Sequence, residues 1–259
     1  MPTIIERQLA VRGKIILEAG RKASETVSSF RAGSAGTVRI GGVQFFMDAV
    51  ISRMIGQFQV KWPDIRVDQS YGNLPEMQAG LRSGQLDLAI CPLGVAEPGS
   101  ELQFTEILPG RNVVAARARH PLFRKKSVTS NDLLRYPWIP PLPGSPLLAD
   151  IHSILLSIGM SEVNVRYSGG SPMSVLNYIE ENEALTVLPQ SVLLAFRQTG
   201  KFKTVPIQIP QPDRSLGLLR LKDAPALPAS DKLVRFITAA FDDLRAVILR
   251  HENAVIWST

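Results

Sequence analysis

The sequence contains one cysteine, Cys91, so no internal disulfide can form and no cysteine-based zinc site can be assembled. That residue sits in the apolar run DLAICPLG, where a small core hydrophobe is the expected role rather than a reactive thiol. Histidine is scarce too. His120, His152 and His251 fall in a loop, a helical pattern and the tail, and none has a partner at metal-ligand spacing. No G-x-S-x-G elbow exposes a nucleophilic serine, and PGSPL at 143–147 is not that motif. The expectation is a protein that is not an enzyme and that uses no cofactor and no metal.

Phosphate cradles are missing as well. The turn Gly41-Gly42 is followed by Val43, Gln44 and Phe45, with neither the spaced glycines of a dinucleotide loop nor the lysine of a P-loop. No apolar run approaches the roughly 18 residues needed to cross a bilayer. Glu6, Arg7, Arg12, Lys14 and Glu18 interrupt every apolar stretch at the N-terminus, which argues against a signal peptide and for a cytoplasmic protein. The net charge is +6, but the only dense basic cluster, RARHPLFRKK at 117–126, has no aromatic ladder and reads as a solvated loop.

What is present is a core-forming composition, 45% hydrophobic over 259 residues, with a clear order of elements. Ile16, Ala19, Ala23, Val27 and Phe30 recur at steps of three and four, and Ile5 and Leu9 extend the stripe backwards. This predicts a helix over 1–33, stopped by the small residues at 33–36. Its stripe can pack on its own domain or on a second chain, and the reading leans to a second chain. From Thr37 strands and helices alternate: TVRIGG, a helix from Phe46 ended by Pro63, IRVDQSYG, LPEMQAGLRSG, LDLAICPL, LQFTEIL and RNVVAARA. Strand–helix–strand order with charge-poor strands predicts parallel pairing in a sheet covered on both faces.

A second pass follows His120-Pro121-Leu122, with TSNDLLRY, PWIPPL, a helix from Pro146, EVNVRYS, a helix after Ser171, ALTVLP and a helix closed by Gly200. KTVPIQI and RSLGLLRL then read as strands, and a last helix carries Leu233, Phe236, Ile237, Ala240 and Leu244 on one face. The predicted organisation is α/β: a first unit over 37–117 plus 212–259, a second over 118–211, with crossings near Ala118 and Gln211 forming a hinge.

Four strands end in turns of small or polar residues at a helix start: Gly41-Gly42-Val43-Gln44, Gly72-Asn73-Leu74, Gly144-Ser145-Pro146 and Ser171-Pro172-Met173-Ser174. In open α/β sheets ligands bind at the carboxyl ends of strands, beside helix N-termini. Ser145 and Ser171 also suit the N-cap position, and capping is compatible with ligand contact.

In order and spacing these segments resemble the regulatory part of LysR-type transcriptional regulators. GKIILEAG matches the end of that family's linker helix, GTVRIGG its first strand, and FQVKWPDI its F-x-x-x-x-P-x-I pattern. GQLDLAI, the HPL at 120–122 and the late LTVLP complete the resemblance. It implies two periplasmic-binding-protein-like (type 2) subdomains joined by a two-strand hinge, preceded by a linker helix, with a small polar or anionic effector in the cleft between them. By residue it points to Val43, Gln44, Phe45, Asn73, Leu74, Cys91, Pro92, Ser145, Ser171 and Thr186. It further implies a homodimer or homotetramer with no membrane partner. The stretch ENEALTVLP lacks the glycine-rich G-x-G that often precedes the last such strand, which weakens the backbone approach at Thr186. The family's winged helix-turn-helix has no counterpart here, so DNA would be met only through a module that this sequence lacks. A truncated chain, a misassigned start and natural loss stay open, the first two being favoured. On the same fold, a solute-binding protein of a transport system is the alternative.

Overall fold

The computed structural model describes residues 3–32, 36–94, 101–140, 146–159, 164–168, 171–224 and 227–256. The first half runs α1 (Ile4–Ala32), β1 (Gly36–Gly42), α2 (Gln44–Phe46), α3 (Ser52–Lys61), β2 (Ile65–Tyr71), α4 (Leu74–Arg82), β3 (Leu88–Gly94), β4 (Leu102–Pro109) and β5 (Asn112–Arg117). Then come α5 (Ser130–Leu133), α6 (Pro146–Ser157), α7 (Pro172–Glu181), β6 (Thr186–Pro189), α8 (Gln190–Ala195), β7 (Phe202–Thr204), β8 (Arg214–Leu221) and α9 (Pro228–Ile256). The chain forms two compact units. Unit 1 holds Met1–Val43, Ile51–Ile107 and Ser215–Phe241, and unit 2 holds Gln44–Val50, Leu108–Arg214 and Asp242–Thr259.

Unit 1 is organised on a five-stranded sheet of order β2-β1-β3-β8-β4. β1 pairs in parallel with β2 from Gly36↔Ile65 to Gly42↔Tyr71, and with β3 from Ile40↔Leu88 to Gly42↔Ile90. The charge-poor strands are covered as the pattern requires: Val38, Ile40, Leu88, Ala89 and Ile90 are all buried. Met77 and Leu81 of α4 close over Ala89, Cys91, Leu102 and Leu219. Elsewhere in the unit Phe58 of α3 stacks against Trp62 and meets Phe236 of α9 edge-on, with ring centroids 4.7 and 5.7 Å apart. α2 and α3 are joined by a π-turn, Met47–Ile51. Through this wider turn Met47 and Ile51 are buried, as are Phe46, Val50, Met54 and Phe58.

α1 is fastened to unit 1 by charge. Arg39, in the middle of β1, reaches Glu25 at 2.5 Å, Asp87 at 3.4 Å and Glu18 at 3.5 Å. Arg21 pairs with Glu18 and Glu25, and Lys22 stands 3.6 Å from Asp87. Three cations thus face three carboxylates, and Asp87 is only 3% exposed in its side chain. Meanwhile Ile5, Leu9, Ile16 and Val27 of the predicted stripe remain exposed on this chain. Phe30, on the same stripe, has no described side chain.

Unit 2 contains a three-stranded antiparallel sheet of order β6-β5-β7. β5, expected in the first unit, is therefore the central strand of the second. The boundaries fall at Ile107 and Arg214 rather than near Ala118 and Gln211, and Asp242 onward groups with unit 2. Packing explains the placement of β5. Its Val114 and Ala116 join Trp138, Ile151 and Leu155, while Ala115 and Val113 join Leu176, Leu188 and Leu193. Both faces of the strand find their apolar partners in unit 2. The expected strands PWIPPL and EVNVRYS are reduced to isolated bridges from Trp138 to Val165 and Leu185, residues 160–163 lying outside the described ones. Pro137 and Pro140 flank the bridge and have no N–H to extend a ladder. Pro206 likewise limits KTVPIQI to the short β7. Gly200 ends its helical segment in the left-handed conformation, φ 65°, as its position predicted.

Two buried groups give unit 2 an acid sensitivity. His120 lies under Tyr136 and Phe123, its Nδ1 accepting the Leu122 N–H at 3.2 Å, and burial holds its pKa below the ordinary 6.5. Lys125 and the Thr129 N–H hold the Asp132 carboxyl down to about 2. In both cases the unfolded chain binds more protons than the folded one, so stability falls with pH. The loss begins below 6.5 for His120 and runs between 3.8 and about 2 for Asp132. Urea midpoints measured against pH should decline in these two windows, with Asp132→Asn flattening the lower one.

Candidate functional site

The parallel register in unit 1 brings the carboxyl ends of β1 and β2 level with each other and with the middle of β3, which runs on to Gly94. Gly42 aligns with Tyr71 on one side and Ile90 on the other. The residues that follow β1 and β2, Val43 and Gly72-Asn73, consequently form one rim alongside Pro92 of β3. Two hydrogen bonds lock it: Gly72 N–H donates to the Gly42 carbonyl at 3.1 Å and Val43 N–H to the Ile90 carbonyl at 3.4 Å. The rim also needs its glycines. A Cβ on Gly41 would stand 2.5 Å from Met77 Sδ and 2.7 Å from Leu86 Cδ1, so α4 sits close only because no side chain is there.

Each predicted residue of unit 1 has a definite place. Asn73 caps α4 in a capping box: its Oδ1 accepts the Glu76 N–H at 3.0 Å, and Glu76 Oε2 accepts the Asn73 N–H at 2.8 Å. Its Nδ2 makes no hydrogen bond among the described residues and Asn73 is exposed, so the amide can serve a ligand. Leu74 packs half-buried against the α4–β3 core. Pro92 is half-buried at the rim. Cys91 points the other way: it is fully buried in the α4 core, and burial pushes its thiol up to about 12. It is neither a reactive thiol nor a group offered at the rim.

In unit 2, Gln44 is exposed at the start of α2, with one side-chain hydrogen bond, Nε2 to Asp48 Oδ2 at 3.3 Å. Phe45 packs half-buried against the clusters that contain Leu176, Val175 and Ile139. Ser171 caps α7, its Oγ accepting the Ser174 N–H at 3.2 Å, while Ser174 Oγ donates to the Ser171 carbonyl at 2.8 Å. Thr186, at the start of β6, is buried, and its hydroxyl donates to the Ile139 carbonyl at 2.8 Å. That hydroxyl ties β6 to the Trp138 segment, so Phe45, Ser171 and Thr186 share one neighbourhood around α7. Ser145 lies outside the described residues.

Sequence reasoning passed over one polar cluster in unit 2. Asp150 of α6 accepts from Asn112 Nδ2 at 2.7 Å and from Arg214 Nη1 at 2.7 Å, with a second bond from Arg214 Nη2. Gln211 then holds the Asn112 backbone from both sides, at 2.8 and 3.2 Å. The cluster pins both ends of unit 2, near Leu108 and near Arg214, to α6. The predicted residues themselves offer amides, hydroxyls and backbone N–H groups, with the Asp48 carboxylate beside Gln44 and the Glu76 carboxylate beside Asn73. Among the described residues no three acids, histidines or cysteines gather to hold a metal. No described helix is long and apolar enough to cross a membrane.

A family model described as the LysR substrate binding domain matches residues 31–242. The HTH-type transcriptional regulator GbpR of Azospirillum brasilense is 25% identical over 230 residues, covering 88% of this chain and 67% of that protein. Among solved structures, the effector binding domain of QuiR in complex with shikimate superposes with a TM-score of 0.59 at 20% identity, over 81% of this chain and 99% of that one. CbnR, described as a LysR family transcriptional regulator, gives a TM-score of 0.66 at 14% identity, over 92% of this chain and 81% of its own. At such identities the structures carry the fold, which is the type 2 periplasmic-binding-protein-like one. The relatives favour a regulator over a transport protein.

Proposed function

Because this chain belongs to the LysR family through its substrate binding domain, matched over residues 31–242, we propose that it senses a small polar or anionic metabolite on behalf of a transcriptional regulator. The observation that carries the reading is the rim in unit 1 where β1 and β2 end level beside β3, at Val43, Asn73 and Pro92. Gln44, Ser145 and Ser171 of unit 2 are placed among the residues that meet an effector. Neutral donors suit an oxyanion, which accepts several N–H bonds and needs no counter-charge if its hydrogen bonds are filled. The protein acts without catalysis, as a cytoplasmic oligomer joined through α1. The exposed stripe of that helix supports the oligomer, since a long apolar row in water is costly unless covered. Effector binding shifts the regulator between states only by its differential affinity for them.

Thermal-shift screening with organic acids, amino acids and sugar acids should identify a stabilising ligand. Gln44→Ala and Ser145→Ala should then weaken it about tenfold each, the worth of one hydrogen bond to a charged group. Gln44→Ala should leave the unliganded melting temperature nearly unchanged, because its side chain is exposed. Unaltered affinity in both variants sinks the site assignment.

A further inference from the structure

Unit 1 carries a recess of about 320 Å3 at the side of α1, away from the strand-end rim, bounded by the turn before β3, by β8 and by the start of α9. Such a volume lies at the lower end of small-molecule sites. One wall is apolar: Leu81, Leu86, Leu221 and Leu227. Most of the rest is charged, with Lys22, Arg220 and Lys222 against Glu25, Asp87 and Asp231.

The two signs are not equally occupied. Glu25 spends one oxygen on Arg21 and the other on Arg39, each at 2.5 Å. Asp87 accepts the Arg39 N–H at 2.8 Å with one oxygen and Arg39 Nη1 at 3.4 Å with the other. The cations have capacity left. Lys22 Nζ reaches Asp87 only at 3.6 Å, beyond hydrogen-bond length, and Arg220 makes a single 3.3 Å bond to Asp231. Lys222 Nζ has no partner among the described residues. Glu25 and Asp87 are engaged on both oxygens and Asp231 on one, while donors of Lys22 and Lys222 stand open around a concave, half-apolar space.

We propose that this recess binds a small organic carboxylate, its anionic end on Lys22, Arg220 and Lys222 and its hydrocarbon body on the leucine wall. It is a second ligand site, independent of the effector rim. Lys22 comes from α1, whereas Arg220 and Lys222 come from the end of β8 and the turn after it, so one bound anion bridges the helix to the sheet. Occupancy therefore fastens α1 to unit 1 more tightly.

The test is a titration of the methyl-labelled 259-residue chain with 4-methylpentanoate, and in parallel with inorganic phosphate, followed by NMR. Saturable shifts of the Leu81, Leu86 and Leu227 methyls are expected with the carboxylate. Lys22→Gln combined with Arg220→Gln should weaken that binding about tenfold or more, as loss of charge-assisted bonds does. Lys222→Gln alone, at an exposed position that cannot unfold the unit, should weaken it in the same direction. Gln44→Ala should not change it, which separates this site from the effector rim. No saturable shift at those methyls, or equal affinity in the variants, overturns the proposal. Phosphate binding as tightly as the carboxylate overturns the assignment to an organic acid.

Discussion

Replacing Arg39 by leucine should lower the stability of unit 1 by about 3 kcal/mol or more, the usual cost of stripping one partner from a buried ion pair. The substitution leaves Glu25 with one cation, and Asp87 with the backbone N–H of position 39 and Lys22 as its remaining cation, at 3.6 Å. Asp87 cannot turn to water, because its side chain is almost wholly covered. Burial already raises its pKa above the ordinary 3.8, with Lys22 and Arg21 opposing that rise. A carboxyl with a raised folded pKa binds protons more readily folded than unfolded. The variant should therefore be less impaired at acid pH and most impaired above the Asp87 pKa, which sets the direction of its pH dependence. Chemical denaturation at neutral and mildly acid pH, on Arg39→Leu and on Arg39→Leu/Asp87→Asn, checks this. The double variant should recover part of the loss, since the uncompensated charge is then gone. An unchanged midpoint in the single variant would mean that the network contributes nothing to α1 docking.

Arg214→Leu should have a comparable effect on unit 2, about 2–4 kcal/mol, because Asp150 then keeps only the Asn112 amide. The Asp150 side chain is 10% exposed and loses two of its three hydrogen bonds. The loss should be non-additive with Asp150→Asn: a double-mutant cycle should return a coupling of about 1–3 kcal/mol, since the two residues share one network. The cluster secures the Asn112 backbone through Gln211, so hydrogen exchange at Val113 and Val114 should also quicken in Arg214→Leu. Additive losses, with exchange unchanged in β5, would refute the clamp.

Much of this molecule was legible because its signals are local. The parallel order of β1, β2 and β3 followed from charge-poor strands separated by helices. The cap of Ser171 involves a partner three residues away. The turn at Gly41-Gly42 announced itself by its glycines. What escaped were the long-range choices. β5 looks like any buried strand, and only its partners around Trp138 and Leu176 decide which unit owns it. Asp150 meets Arg214 across 64 residues and Asn112 meets Gln211 across 99, distances that no periodicity spans. Arg39 could have been suspected, since a lone charge inside an apolar strand must find a partner, though nothing in TVRIGG tells which. At the candidate site the turns after β1 and β2 came through and Ser171 caps α7, while Gly144-Ser145 lies outside the described residues and Cys91 and Thr186 turned out to face inward. Alternation along a strand does not say which face looks at the core when both are covered.

The same strand whose carboxyl end forms the rim carries Arg39 three residues earlier, about 10 Å away at strand rise. β1 is bonded on both edges, to β2 and to β3, so it can neither stretch nor buckle without breaking ladder bonds. It behaves as a short strut between two working ends. Val43 at one end of β1 is thus joined by a short, doubly bonded stretch of backbone to Arg39, and by Glu25 and Glu18 to α1.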